Sequence, residues 1–357
     1  MEIQSGGRKE YLDIAKGIGI LLMVLAHCPL VYNPIKQWIY SFHMPLFFFV
    51  AGMVWNKPSH EKRGFFTWKF LYDKVLRLII PCFIWGIVYL IIDAVMKRSF
   101  SPRYFAYLVY GSQAGFRKAG SLSSLWFLPC MFLSVCAFEV IQQTIAKLKR
   151  GIWVLCCVSV VFAVAGLFLP RLSNGYPWST DVAFLGVTFM MWGYLTKNAF
   201  ETEAKKENLT ALLLLIGLLA LSLTCFLNLP YVSTNNVDMA GRHTGNPLLY
   251  LFNAAAGSAL VLFLSVFLCR IQKLAAFCAD LGRKTIPILV LHKPIVRVLN
   301  RMGEMIGVPS AISVILSVAA AVGASLLVYW VVRKILPIAF GEKPKKPSDH
   351  RQEANAL

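Results

Sequence analysis

Apolar residues in this chain gather into runs of about 20, the length at which an α-helix crosses a ~30 Å hydrocarbon layer. No water reaches that layer, so each run must satisfy its backbone hydrogen bonds internally, and a helix does so. Ten runs predict ten spans, at 12–32, 38–55, 71–96, 125–143, 152–169, 182–196, 209–227, 248–268, 285–300 and 311–332. The predicted class is therefore all-α, a polytopic transmembrane helical bundle whose first partner is the lipid bilayer. Of the 357 residues 57% are hydrophobic and only 15% charged, against about 25% charged in soluble domains. The second run carries Pro45 and Gly52, and the ninth carries Pro287 and Pro294. Broken helices are expected there, where neighbours can shield the freed backbone.

A net charge of +19 raises the question of nucleic acid. The distribution of the charge answers it. With the N-terminus inside, 25 of the 36 Lys and Arg fall on the inner side and 11 on the outer. Both termini are therefore expected in the cytoplasm, and no nucleic-acid partner is expected. Residues 1–340 read as one membrane domain, and 341–357 as a polar, basic tail expected to be disordered. The first run follows Arg8 and Lys9. It is read as a retained helix rather than a signal peptide, because it is long and no small-x-small site follows it. There is no internal repeat. The nine Cys are scattered without CxxC spacing, which suits small buried hydrophobes better than metal ligands or a disulfide framework.

Polar groups inside a span are costly, and each calls for a reason. The first span is the richest. Lys16 and His27 are 11 residues apart, so they share a helix face about 16.5 Å apart along the axis. Asp13 falls near the same stripe. Two readings stand for these groups: Lys16 snorkels and His27 bonds a neighbouring helix, or a dry imidazole serves as a general base for a hydroxyl. Gly17 and Gly19 permit a close approach by a partner. Lys74 and Arg77 open the third span one turn apart, which suits either inner-side anchoring or a phosphate-bearing ligand. His43 and His292 lie in the second and ninth spans. No metal is expected at the three histidines, since no EXXH or paired carboxylates accompany them. Glu139 and Asp93 lie near span ends, within reach of water.

Five short motifs occur in order. They are Leu12-Asp13 and Lys16-Gly17 followed by His27; Phe42-His43-Met44-Pro45 with Ala51-Gly52; Lys74 to Arg77 followed by Ile80-Pro81; Leu125-Trp126-Phe127-Leu128-Pro129; and Leu281-Gly282-Arg283 through His292-Lys293-Pro294. Together they resemble the acyltransferase 3 family of membrane proteins, in particular the branch that includes fucose 4-O-acetylase-like proteins. Lys16 and Lys74 stand where many members carry Arg, which keeps the charge but loses the bidentate fork.

The resemblance implies a multi-pass enzyme of the cell's inner (cytoplasmic) membrane. It implies O-acyl transfer, generally O-acetyl, from cytoplasmic acetyl-CoA to a hydroxyl of an envelope carbohydrate. Lys16, Lys74 and Arg77 would then hold the donor's phosphates, and His27 would act as base with Asp13 orienting Lys16. Trp126 would shape the acceptor pocket, with His43 and His292 as structural groups or contacts to the substrate. A transporter or exporter of a polar or lipid-linked sugar is the alternative, using the same buried charges as a path.

Overall fold

The computed structural model describes residues 9–55, 67–97, 101–145, 148, 150–203, 207–232, 237–305 and 310–343. The basic residues at 8, 57, 62, 63, 147, 149, 205 and 206, which the inside-outside count used, lie outside them. So does the expected disordered tail, apart from residues 341–343.

Among the described residues the structure is helical, with one isolated bridge, Asp238 to His243, in place of any sheet. The helices are α1 Glu10–Ala26, α2 Asn33–Tyr40, α3 His43–Val54, α4 Trp68–Lys74, α5 Ile80–Lys97, α6 Pro102–Tyr110, α7 Gln113–Ala119 and α8 Phe127–Ile145, followed by α9 Gly151–Phe168, α10 Thr180–Glu203, α11 Glu207–Asn228, α12 Pro247–Leu268, α13 Gln272–Arg283, α14 Thr285–Met305 and α15 Ser310–Ile335. Seven segments of the described residues are long and apolar enough to cross a membrane; α1, α10 and α14 are not among them. The chain is a multi-pass membrane protein.

Several boundaries differ from the sequence expectation, for physical reasons. The first helix stops at Ala26, six residues early, because Pro29 cannot continue it. His27 is therefore the C-cap of α1 rather than a residue deep in a span. The second span is two helices. The break at Ser41 and Phe42 places Pro45 in the first turn of α3, where a missing N–H is harmless. Between the third and fourth predicted spans lie α6, α7 and a 3₁₀ turn, Ser121–Ser124. The amphipathic α13 was not anticipated. It buries Ala275, Cys278, Ala279, Leu281 and Gly282.

Two prolines create features that matter for the site. Pro81 lacks the N–H that would bond the Arg77 carbonyl, and the turn just before it, Val75–Ile79, is π-helical. The C-terminal 3₁₀ turn Pro337–Phe340 packs there, with Trp85 Nε1 donating to the Ala339 carbonyl at 2.9 Å. Pro294, inside α14, frees the Val290 carbonyl, and the Tyr89 hydroxyl donates to it. A neighbouring helix thus restores the bond that the proline removed.

α1 packs against α3, α12, α13, α14 and α15. Lipid offers no hydrophobic drive between helices, so close backbone approach through small residues does much of the joining. At the α1–α13 crossing a Cβ on Gly17 would lie 1.9 Å from the Cys278 carbonyl oxygen, and one on Gly282 would lie 1.8 Å from that of Asp13. The α3–α10 crossing is built the same way from Gly52 and Gly193. Gly323, by contrast, faces open space. Gly17→Ala is expected to destabilise the protein by about 1–3 kcal/mol, because backbone stands where the methyl must go. Gly323→Ala is expected to be neutral or slightly stabilising. Thermal unfolding in nanodiscs checks the pair, and equal midpoints would remove the crossing from the account.

Candidate active site

The three histidines predicted from three separate spans meet at one place. The His27 and His292 rings are 5.0 Å apart edge to face. Tyr40 bridges to the third, with its ring 5.9 Å from His27 and 5.0 Å from His43. His43 and His292 are fully buried, and His27 is half-buried.

Each ring is fixed in the same way. His27 Nδ1 lies 2.7 Å from the Met23 carbonyl, and His43 Nδ1 lies 2.9 Å from that of Ile39. His292 Nδ1 lies 2.9 Å from both the Ile288 and Leu289 carbonyls. A carbonyl can only accept, so Nδ1 carries the hydrogen in all three rings and Nε2 holds the lone pair. His27 is thus preset as a proton acceptor at Nε2. His292 Nε2 is buried without a hydrogen-bond partner. Among the described residues no group of three His, Cys, Asp or Glu converges to hold a metal ion.

At the other end of α1 the three predicted cations also meet. Lys16, Lys74 and Arg77 line one cavity of about 390 Å³. Its apolar walls include Ile20, Met44, Phe47, Phe127 and Leu289. Met44 follows His43 in sequence, and Leu289 is one turn before His292 and supplies a carbonyl to its Nδ1. The cavity therefore runs from the cations toward the histidines. Lys74 and Arg77 also line a second cavity of about 390 Å³, beside Asp73 and Lys343, which pair at 2.7 Å. The π-helical turn and the C-terminal residues thus build the basic end together.

Asp13 is buried and pairs with Lys16 at 2.6 Å, so it holds that ammonium at the cavity. It lies fourteen residues from His27, roughly 21 Å along the helix, too far to touch the imidazole. Trp126 is buried against Phe127, 6.0 Å between ring centres, and Phe127 in turn stacks on Phe47 and Phe48. Trp126 thus backs the cavity wall.

Sequence reasoning missed three groups. Trp55 lines the basic end of the cavity, and its Nε1 donates to Glu139 at 2.7 Å. Glu139 also accepts from Gln143 at 2.8 Å and is buried, so it serves Trp55 rather than reaching water as expected. Tyr40 carried no periodic or charge signal. Lys293 stood in a quoted motif but was given no role; its Nζ donates to Ser123 Oγ at 3.2 Å beside His292.

The sequence matches the Acyltransferase domain family over residues 9–333. Nodulation protein NolL of Sinorhizobium fredii is 26% identical over 353 residues, covering 90% of this chain and 88% of the relative. No solved structure matches.

Proposed function

This chain belongs to the acyltransferase 3 family and is a membrane acyltransferase, and from that premise we propose that it moves an acyl group, generally acetyl, from cytoplasmic acyl-CoA to a hydroxyl of an envelope carbohydrate. The observation that carries the reading is one cavity with Lys16, Lys74 and Arg77 at one end and the histidine cluster beyond the other. The cations suit the donor's phosphates, and the apolar walls suit its arm. The axial distance from Lys16 to His27, about 16.5 Å, is comparable to that arm. Both termini lie in the cytoplasm and ten helices cross the inner membrane in this reading, so the cations face the cytoplasm.

His27 Nε2 takes the proton from the acceptor hydroxyl as its oxygen bonds to the acyl carbon. The carbon–sulfur bond then breaks, and the same imidazole returns the proton to the leaving thiolate. His292 holds the His27 ring by an edge contact and Tyr40 by a tilted one, and His43 supports Tyr40. Asp13 positions Lys16. The apolar walls exclude water, which favours transfer over hydrolysis. A transporter needs no thioester, and nothing in its reading accounts for a base preset at Nε2.

The test is label transfer from radiolabelled acetyl-CoA to an envelope-glycan extract by protein in nanodiscs. The Lys74→Gln, Arg77→Gln double variant is expected to raise KM for acetyl-CoA roughly 10–100-fold while kcat changes little, since it removes charge-assisted contacts that hold donor and transition state alike. Substrate flux without loss of thioester would instead establish the transporter.

A further inference from the structure

The 11 outer Lys and Arg have no topological reason to cluster, because the positive-inside rule gathers cations on the other face. Four of them nevertheless line one cavity of about 320 Å³: Arg117, Lys118, Arg171 and Arg242. That cavity lies at the His27 end of α1. The segment behind it is tied to α2 by Val237 N–H donating to Gln37 Oε1 at 2.7 Å, and Tyr40 on α2 stacks against His27. The Arg117–Asp238 ion pair at its edge is within electrostatic reach of Tyr40 and Lys293.

The charges do not cancel. Asp238 is taken by Arg117, and Asp181 by Arg242. Lys118 and Arg171 are instead held by neutral oxygens. Lys118 Nζ donates to the Ser173 carbonyl at 3.0 Å and Asn174 Oδ1 at 2.7 Å, and Arg171 donates to the Arg242 carbonyl at 2.7 Å. Two net positive charges remain at an exposed mouth. His243 also lines the cavity, and burial together with the nearby Arg171 holds its pKa below the usual histidine range, so it is neutral and able to bond a hydroxyl.

The backbone around this cavity is strained. Among the described residues the non-glycine residues with positive φ are Trp178, Ser179 and Arg242. Arg242 lines the cavity, and Ser179 Oγ accepts from the N–H of Gln113, another lining residue. Strain of this kind gathers at ligand clamps.

We infer that this outer cavity binds the acceptor through an acidic group, so that the substrate is an anionic carbohydrate bearing a carboxylate or a phosphate. The inference rests on the proposed reading that the acceptor enters at the His27 end. Lys118 and Arg171 bind the anion, His243 and Gln113 bind hydroxyls, and the glycan then extends toward His27.

The experiment is a binding titration with the full chain in nanodiscs, which needs no acyl transfer. The probes are a hexuronate oligosaccharide, the same oligosaccharide with its carboxyls reduced to alcohols, and a glycerol-phosphate oligomer. At least one acidic probe is expected to bind about tenfold tighter than the reduced one, with the preference shrinking as salt is raised. Which acidic probe wins tells carboxylate from phosphate. The Lys118→Gln, Arg171→Gln double variant is expected to lose most of that tenfold preference at an unchanged unfolding midpoint, and Lys118→Gln alone part of it. Equal binding of acidic and reduced probes, or a preference intact in the variants, overturns the inference. Absence of label transfer to any glycan would count against the acyltransfer chemistry and leave the binding preference to be judged separately.

Discussion

Replacing His27 with alanine is expected to lower acyl transfer by roughly 10²–10⁴-fold, the usual contribution of a positioned general base. The argument is geometric. An alcohol attacking a thioester must lose a proton as the new bond forms, and His27 offers a fixed lone pair at Nε2 because its Nδ1–H is spent on the Met23 carbonyl. Nothing else in the cluster is placed to replace it. His43 and His292 are fully buried, and Lys293 is a donor already directed at Ser123. Donor binding should survive, since Lys16, Lys74 and Arg77 lie at the other end of the cavity. The loss should therefore fall on kcat, with the affinity for CoA within about twofold. His27→Gln keeps the size of the side chain but not its basicity, and should be nearly as inactive. Transfer at the wild-type rate in either variant would exclude His27 as the base. Loss of CoA affinity alongside activity would assign it a structural role instead.

The candidate site was legible in the sequence to the extent that it rests on helix geometry and on charge in an apolar setting. Lys16 and His27 stand out because a membrane span makes polar side chains expensive, and their spacing fixes one face. The meeting of Lys16, Lys74 and Arg77 at a single cavity could be expected from the shared inner position that the charge count assigns them, since each stands near the start of a span predicted to begin inside. What the sequence could not give were consequences of three-dimensional contact. Tyr40 matters only because Pro29 and Pro45 shape a helix–turn–helix that tips it between two imidazoles. Glu139 reads as a carboxylate near a span end, yet Trp55, 84 positions away, covers it. Pro294 reads as a helix breaker, and only the position of Tyr89 shows why the helix continues. The amphipathic α13 was overlooked because it is short and only half apolar. Its use of Gly282 against α1 depends on a backbone approach that no periodicity reports.

Arg242→Met is expected to destabilise the protein by about 3–5 kcal/mol, the usual result of stripping one partner from a buried ion pair. The guanidinium is 3% exposed, and its Nε lies 2.9 Å from Asp181 Oδ2. It also donates to the Leu169 carbonyl at 2.8 Å and the Pro170 carbonyl at 3.2 Å, with a longer contact of 3.4 Å to that of Gly166. These carbonyls belong to the C-terminal end of α9, where the last backbone acceptors have no helical partner. One side chain thus closes a helix end, neutralises a buried carboxylate and pins the segment around the Asp238–His243 bridge. That work is what allows Arg242 to hold a left-handed backbone, φ 54°, that a residue with a Cβ generally avoids. Methionine fills much the same space and satisfies none of these groups, leaving the Asp181 carboxylate buried without its cation. Two further variants separate charge from shape. Arg242→Lys restores the charge without the fork and should recover only part of the loss. Adding Asp181→Asn to Arg242→Met removes the stranded carboxylate, so the double variant should be more stable than Arg242→Met alone. Unfolding midpoints in nanodiscs, read beside protease sensitivity of the 237–246 segment, decide the matter. If the double variant is no more stable than the single, the ion pair is not what secures the wall of the outer cavity.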